Sequence, residues 1–156
     1  MPPVWGHAFD MLLWHVEPER STRPSIAEAR ALIGSDSAEP LAILAQEGLR
    51  AAVLDFDLAE ATRWHSLLRD LVEISTGSTR DHAGVMASIG AAWLAWFGGS
   101  FDPDGVATVQ QRAAALRSAP LVVEAAALWS LHAIETVATP SGSKLPPNQA
   151  SQAAPI

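Results

Sequence analysis

The chain has 156 residues and a formal charge of −7, from 10 basic and 17 acidic side chains, with six Trp, no Tyr and no Cys. Zero Cys excludes disulfides, thiolate metal sites, iron–sulfur clusters and Cys nucleophiles. The acidic balance argues against a protein that grips nucleic acid directly, because phosphate binding needs clustered Lys and Arg.

Helix signals fill residues 1–138, predicted as a single domain. Val4 to Glu17 puts Trp5, Phe9, Leu12, Leu13 and Val16 on one stripe, and Pro18 stands where that helix should stop. Ser25-Ile26-Ala27-Glu28 has capping-box spacing and opens a short second helix, with Gly34 as its C-terminal cap. The third helix spans about Ala38 to Leu54, with Pro40 in the first turn, where amides have no helical partner anyway. Asp57 to Glu60 repeats the capping spacing and opens the fourth, which runs through Ile74 and ends at Thr76-Gly77.

The fifth helix, about Arg80 to Phe97, is apolar almost all round, so it is expected at the centre, covered on every side. Gly98-Gly99 ends it, and Asp102-Pro103 supplies an N-cap with Pro at the first helical position. The sixth carries Val106, Val109, Ala113 and Leu116 inward and leaves Gln110, Gln111, Arg112 and Arg117 for solvent. The seventh, Leu121 to Val137, holds Glu124 and Glu135 as its only charges. From Thr139 the chain turns Pro- and Ser-rich, and residues 139–156 are read as a flexible tail. No alternating β-branched run competes, so the fold class is all-α: a compact bundle of about six or seven mostly antiparallel helices.

Nine Arg against one Lys, with Ala at roughly one residue in five, indicate a high-GC genome, bacterial or phage. The start, Met1 to Phe9, has no basic region before a long apolar core, so no secretory signal is expected. The longest uncharged run, Ala83 to Ser100, is interrupted by four Gly and reads as a buried helix. The protein is expected in the cytoplasm, off the membrane. Residues 64–72, Trp-His-Ser-Leu-Leu-Arg-Asp-Leu-Val, together with Ala92-Trp93-Leu94-Ala95-Trp96-Phe97-Gly98, Arg112-Ala113 and Pro120, resemble the helical C-terminal part of an uncharacterised actinobacterial domain-of-unknown-function family. That resemblance spans about residues 60 to 130 and implies a helical fold without an assigned activity. The turn Phe101-Asp102-Pro103-Asp104 departs from the compact Gly-Asp-Gly loop expected there.

Chemistry-bearing residues are few. His7 and His15 lie two turns apart on one helix face, and His132 precedes Glu135 by three. His7, His15, His65, His132 and Glu135 are therefore the set from which a bundle metal site would be drawn, although no paired His-Glu-x-x-His motif supports one. His82 completes the five histidines. Glu124 is the odd charge in an apolar stretch. It either caps the positive end of its helix from the first turn, pairs with Arg69, Arg112 or Arg117, or acts as a general acid or base alongside His65 and His132. Trp64, Trp93, Trp96 and Trp129 are read either as core fillers whose indole N–H groups find carbonyls, or as the wall of one apolar cavity. Arg20, Arg23 and Arg30 face Glu17, Glu19 and Glu28 as a solvated mixed-charge surface.

Two functions fit. The favoured one is a non-enzymatic helical module that binds another protein or itself. The alternative is a small-molecule-binding protein or enzyme with a Trp- and His-lined cavity for a small apolar ligand, metal-dependent if the histidines converge. No cofactor is expected from any motif.

Overall fold

The computed structural model describes Glu17, residues 24–34 and residues 38–138. The predicted helix over residues 4–17 apart from Glu17, with Trp5, Trp14, His7 and His15, lies outside the described residues, as do Glu19, Arg20, Arg23 and the predicted tail.

Six helices make up the described chain: α1 (Ile26–Ala31), α2 (Ala38–Leu54), α3 (Leu58–Ile74), α4 (Gly77–Phe97), α5 (Pro103–Ala115) and α6 (Ala119–Ala138). Among the described residues there is no strand, and no described helix is long and apolar enough to cross a membrane. The helix starts follow local chemistry. Ser25 Oγ accepts the Glu28 N–H at 3.3 Å while the Glu28 carboxylate accepts the Ser25 N–H at 2.7 Å, completing the capping box of α1. Asp57 accepts the Glu60 N–H at 2.9 Å and Asp102 accepts the Asp104 N–H at 3.1 Å, as their spacing predicts.

Three boundaries differ from the sequence reading. Helix α1 ends at Ala31 with Leu32 as its C-cap, two residues before Gly34. Helix α4 opens at Gly77 rather than near Arg80, because Gly77 takes a φ of +57° and lets the chain turn within two residues of α3. Helix α6 opens at Ala119, so Glu124 falls in the second turn, too deep to cap the helix end.

Short connectors fold α2, α3 and α4 back on one another as antiparallel neighbours, with α1 resting against α2 and α3. Helices α5 and α6 form a second pair that docks on α4. The apolar α4 is thus the shared element of both groups, as expected, but it is not covered on every side. Its first half buries Ala83, Val85, Met86 and Ile89, while Trp93, Leu94, Trp96 and Phe97 are only partly buried. The most enclosed helix is α2, where nearly every residue from Pro40 to Val53 is buried. Arg30 is exposed, as predicted, and its carboxylate partner on α3 is Asp70, at 2.9 Å, with Ser66 at 3.3 Å.

Close approach of α2 and α3 depends on one small residue. The Trp64 indole, fully buried, packs against Gly48, where an added Cβ would collide with the ring. Overpacking there outweighs the gain of about 1 kcal/mol in helix propensity that Ala has over Gly. Gly48→Ala is therefore expected to lower stability by about 2 kcal/mol in urea denaturation. Gly84→Ala, which would meet only the mobile end of Arg112 at 3.3 Å, should instead raise stability by up to about 1 kcal/mol.

Candidate docking groove and its polar wall

Helices α2 and α6 share no broad backbone contact. What joins them is a chain of polar side chains. Glu124, on the core face of α6 with Leu121, Ala125 and Leu128, is buried. Its Oε2 accepts from Gln46 Nε2 at 2.8 Å and from Arg50 Nη2 at 2.8 Å. Arg50 in turn donates through Nη1 to both carboxylate oxygens of Glu47, at 2.6 and 2.7 Å. Burial alone would lower the Arg50 pKa, but the charge and hydrogen bonds of Glu124 and Glu47 outweigh it and raise the guanidinium above its ordinary value. The partner of Glu124 is therefore Arg50, one turn beyond Gln46, and none of Arg69, Arg112 or Arg117.

This network stands between two concavities that meet at Arg50 and Pro120. The smaller, about 300 Å³, has an apolar floor of Ile43, Met86 and Leu121 and a polar side of Glu39, Gln46, Glu47 and His82. The larger is an open groove of about 750 Å³ between the end of α2, the end of α4 and the first half of α6. Apart from Arg50 and Glu124 its lining is apolar, led by Phe56, Trp93, Trp96, Phe97 and Val123.

The aromatic wall follows from spacing on α4. Trp93, Trp96 and Phe97 share a face at i, i+3 and i+4. Trp96 meets Phe97 edge-on at 4.8 Å, and Trp93 stacks on Phe97 at 6.3 Å. Phe56 approaches from the α2–α3 connector and meets Phe97 edge-on at 5.7 Å.

Phe56 occupies a backbone position that favours glycine. Its N–H bonds Val53 O at 3.1 Å and the Asp57 N–H bonds Ala52 O at 2.9 Å, which closes α2 with a Schellman motif. Phe56 is its left-handed residue, with φ +57°. Helix α4 ends the same way, with Gly99 at φ +72° in that position. A bulky side chain there is strained by about 1–2 kcal/mol, and Phe56 recovers little by burial, since 76% of it remains exposed.

The other candidate residues separate. Trp64 is core, and its Nε1 has no hydrogen-bond partner among the described residues, so the expectation of a carbonyl partner fails there. Trp129 and His132 are not among the groove-lining residues. His132 stacks on Phe101 at 4.6 Å with Trp129 5.9 Å away, an aromatic cluster that ties the α4–α5 connector to α6. His65, half-buried, places Nε2 3.0 Å from Ala87 O and so holds α3 to α4. His82 Nδ1 lies 2.9 Å from Ser78 O. Among the described residues no three His, Asp or Glu side chains are grouped to hold a metal. His7, His15 and the side chain of Glu135 lie outside the described residues. Sequence reasoning missed Arg50, Leu54, Phe56 and Val123; the visible signal was a Phe flanked by Asp55 and Asp57 in an interhelix turn.

No family model, curated protein or solved structure matches this chain.

Removing Arg50 leaves Glu47 and Glu124 facing each other without the cation, whereas Glu124→Gln keeps an acceptor for both donors. Arg50→Met is expected to cost about 2–3 kcal/mol and Glu124→Gln about 1 kcal/mol in urea denaturation; equal losses would contradict this ordering. Burial, with Arg69 nearby, pushes the His65 imidazole below its ordinary value, against the raising effect of its bond to Ala87. The fold therefore prefers neutral His65, with Nε2–H donating. Its contribution is intact above about pH 6.5 and is lost as pH falls below that toward the lowered folded-state value. His65→Gln should flatten the fall in stability that sets in below about pH 6.5 in a stability–pH profile.

Proposed function

We propose that the protein is a non-enzymatic docking module that binds a segment of another protein in the groove between α2, α4 and α6. Phe56 carries the reading. A left-handed, mostly exposed aromatic residue at a helix terminus works against folding, and strained positions of this kind concentrate where a surface is used. Around it, exposed Leu54 and Val123, the latter 67% exposed, extend one apolar surface with Trp93, Trp96 and Phe97. Contiguous apolar surface of this sort marks interaction sites, and aromatic residues dominate the anchors of such sites.

A small apolar ligand is the weaker reading, because the groove is open and Trp64, Trp129 and His132 do not line it. A cytoplasmic location fits a module of this kind and is part of the same proposal.

A photo-crosslinking residue at Val123 should capture a partner protein in cells that make this chain, and one at exposed Glu73 on α3 should not. Phe56→Gly should abolish capture at Val123 while changing stability by less than about 1 kcal/mol, since relief of backbone strain offsets the lost edge-on contact. Equal capture at both positions, or full capture by the Phe56→Gly protein, would overturn the reading.

A further inference from the structure

The smaller concavity differs in chemistry from the groove. It lies where one face of α2 meets the first half of α4 and the start of α6, and its volume is about 300 Å³. Small-molecule sites begin at about that size. Ile43, Met86 and Leu121 form its floor, so an occupant needs a carbon body as well as a polar head.

Hydrogen-bonding capacity selects the head. Gln46 is only 7% exposed and gives Nε2–H to Glu124, a carboxylate that only accepts. Its remaining polar atom is the acceptor Oε1, which receives no hydrogen bond among the described residues. Gln46 lines this cavity and not the groove, so Oε1 is the atom it presents there. His82 leaves an acceptor in the same way. Its Nδ1 lies 2.9 Å from Ser78 O, a carbonyl, so Nδ1 carries the proton and Nε2 of the neutral ring accepts. Glu39 adds an exposed carboxylate at the rim. The Thr79 and Ser118 hydroxyls serve as donor or acceptor and do not decide. Arg50, the one Lys or Arg among the described lining residues, has Nη1 on Glu47 and Nη2 on Glu124. An anionic head would therefore meet acceptors and a guanidinium already engaged by two carboxylates.

We propose that this cavity binds a small primary ammonium compound with a short apolar body. The ammonium carries three donors and no acceptor, matching Gln46 Oε1, His82 Nε2 and the Glu39 carboxylate. Its carbon body rests on Ile43, Met86 and Leu121. The site is independent of the docking reading, since it needs no protein in the groove.

Phenethylammonium, phenethyl alcohol and hydrocinnamate share a carbon skeleton and differ in the head, so their titration into the full chain tests the proposal. By calorimetry the ammonium should bind one to one with a Kd of about 1 mM or below, at least about tenfold tighter than the alcohol, and hydrocinnamate should not bind. In NMR spectra the methyl signals of Ile43, Met86 and Leu121 should move on binding, while those of Val123 in the groove stay in place. Glu39→Gln, at an exposed position, should weaken the ammonium several-fold. Thr79→Trp, which fills the cavity from its half-buried rim, should abolish binding. Neither change should alter the circular dichroism spectrum. Equal affinity for alcohol and ammonium, no binding of the ammonium, shifts centred on Val123, or binding untouched by Thr79→Trp would overturn the assignment. Each of these results would leave capture of a protein at Val123 unaffected.

Discussion

A buried carboxylate on α6 has to meet a guanidinium on α2, and the orientation of the last helix follows from that pairing. Helix α6 is apolar nearly all round, so hydrophobic burial alone would accept several rotations of it against the bundle. Glu124 removes that freedom. Placed inward with Leu121, Ala125 and Leu128, it receives N–H donors from Gln46 and Arg50. Turned outward by one residue, it would leave Arg50 with Glu47 alone and Gln46 without this acceptor, while Val123 entered the core. Buried ion pairs are often weak sources of net stability, and fixing a register is among their better-attested uses. With Glu124 inward, Val123, Ala127, Ile134 and Val137 face out.

The same constraint shapes the groove. Helix α4 gathers both helix groups, yet its last two turns extend past the cover that α2 and α6 provide. Trp93, Trp96 and Phe97 consequently end as a wall rather than a core. The two Schellman motifs at this end of the molecule differ in one respect that bears on function: Gly99 takes the left-handed position without strain, whereas Phe56 takes it against its steric preference and turns its ring to Phe97. Folding gains nothing evident from that choice; the groove gains a side.

How far the sequence could be read depends on the range of the interaction involved. Capping by Ser25, Asp57 and Asp102 acts within three residues and was legible, as was the stripe of Val106, Val109 and Ala113. Glu124 was recognisable as anomalous, but its partner was not, since Gln46 and Arg50 lie more than seventy positions away. The histidines and tryptophans show the same limit. His65, His132, Trp64 and Trp129 are each held by contacts specific to their own place: an Ala87 carbonyl, the Phe101 ring, the bare backbone of Gly48. Residue type alone left them open between core positions and one cavity wall; packing places these four in three separate environments.

Composition and local pattern were enough for the all-α class, the absence of thiol chemistry, the acidic surface charge and most helix boundaries, because each depends on residue counts or on interactions within one or two turns. They were not enough to say which face of α4 and α6 turns inward, since an Ala-rich helix that is apolar nearly all round has no preferred face of its own. That choice belonged to the tertiary structure. One ion pair across α2 and α6, and one close approach at Gly48, decide which apolar residues become core and which remain on the surface to meet something else.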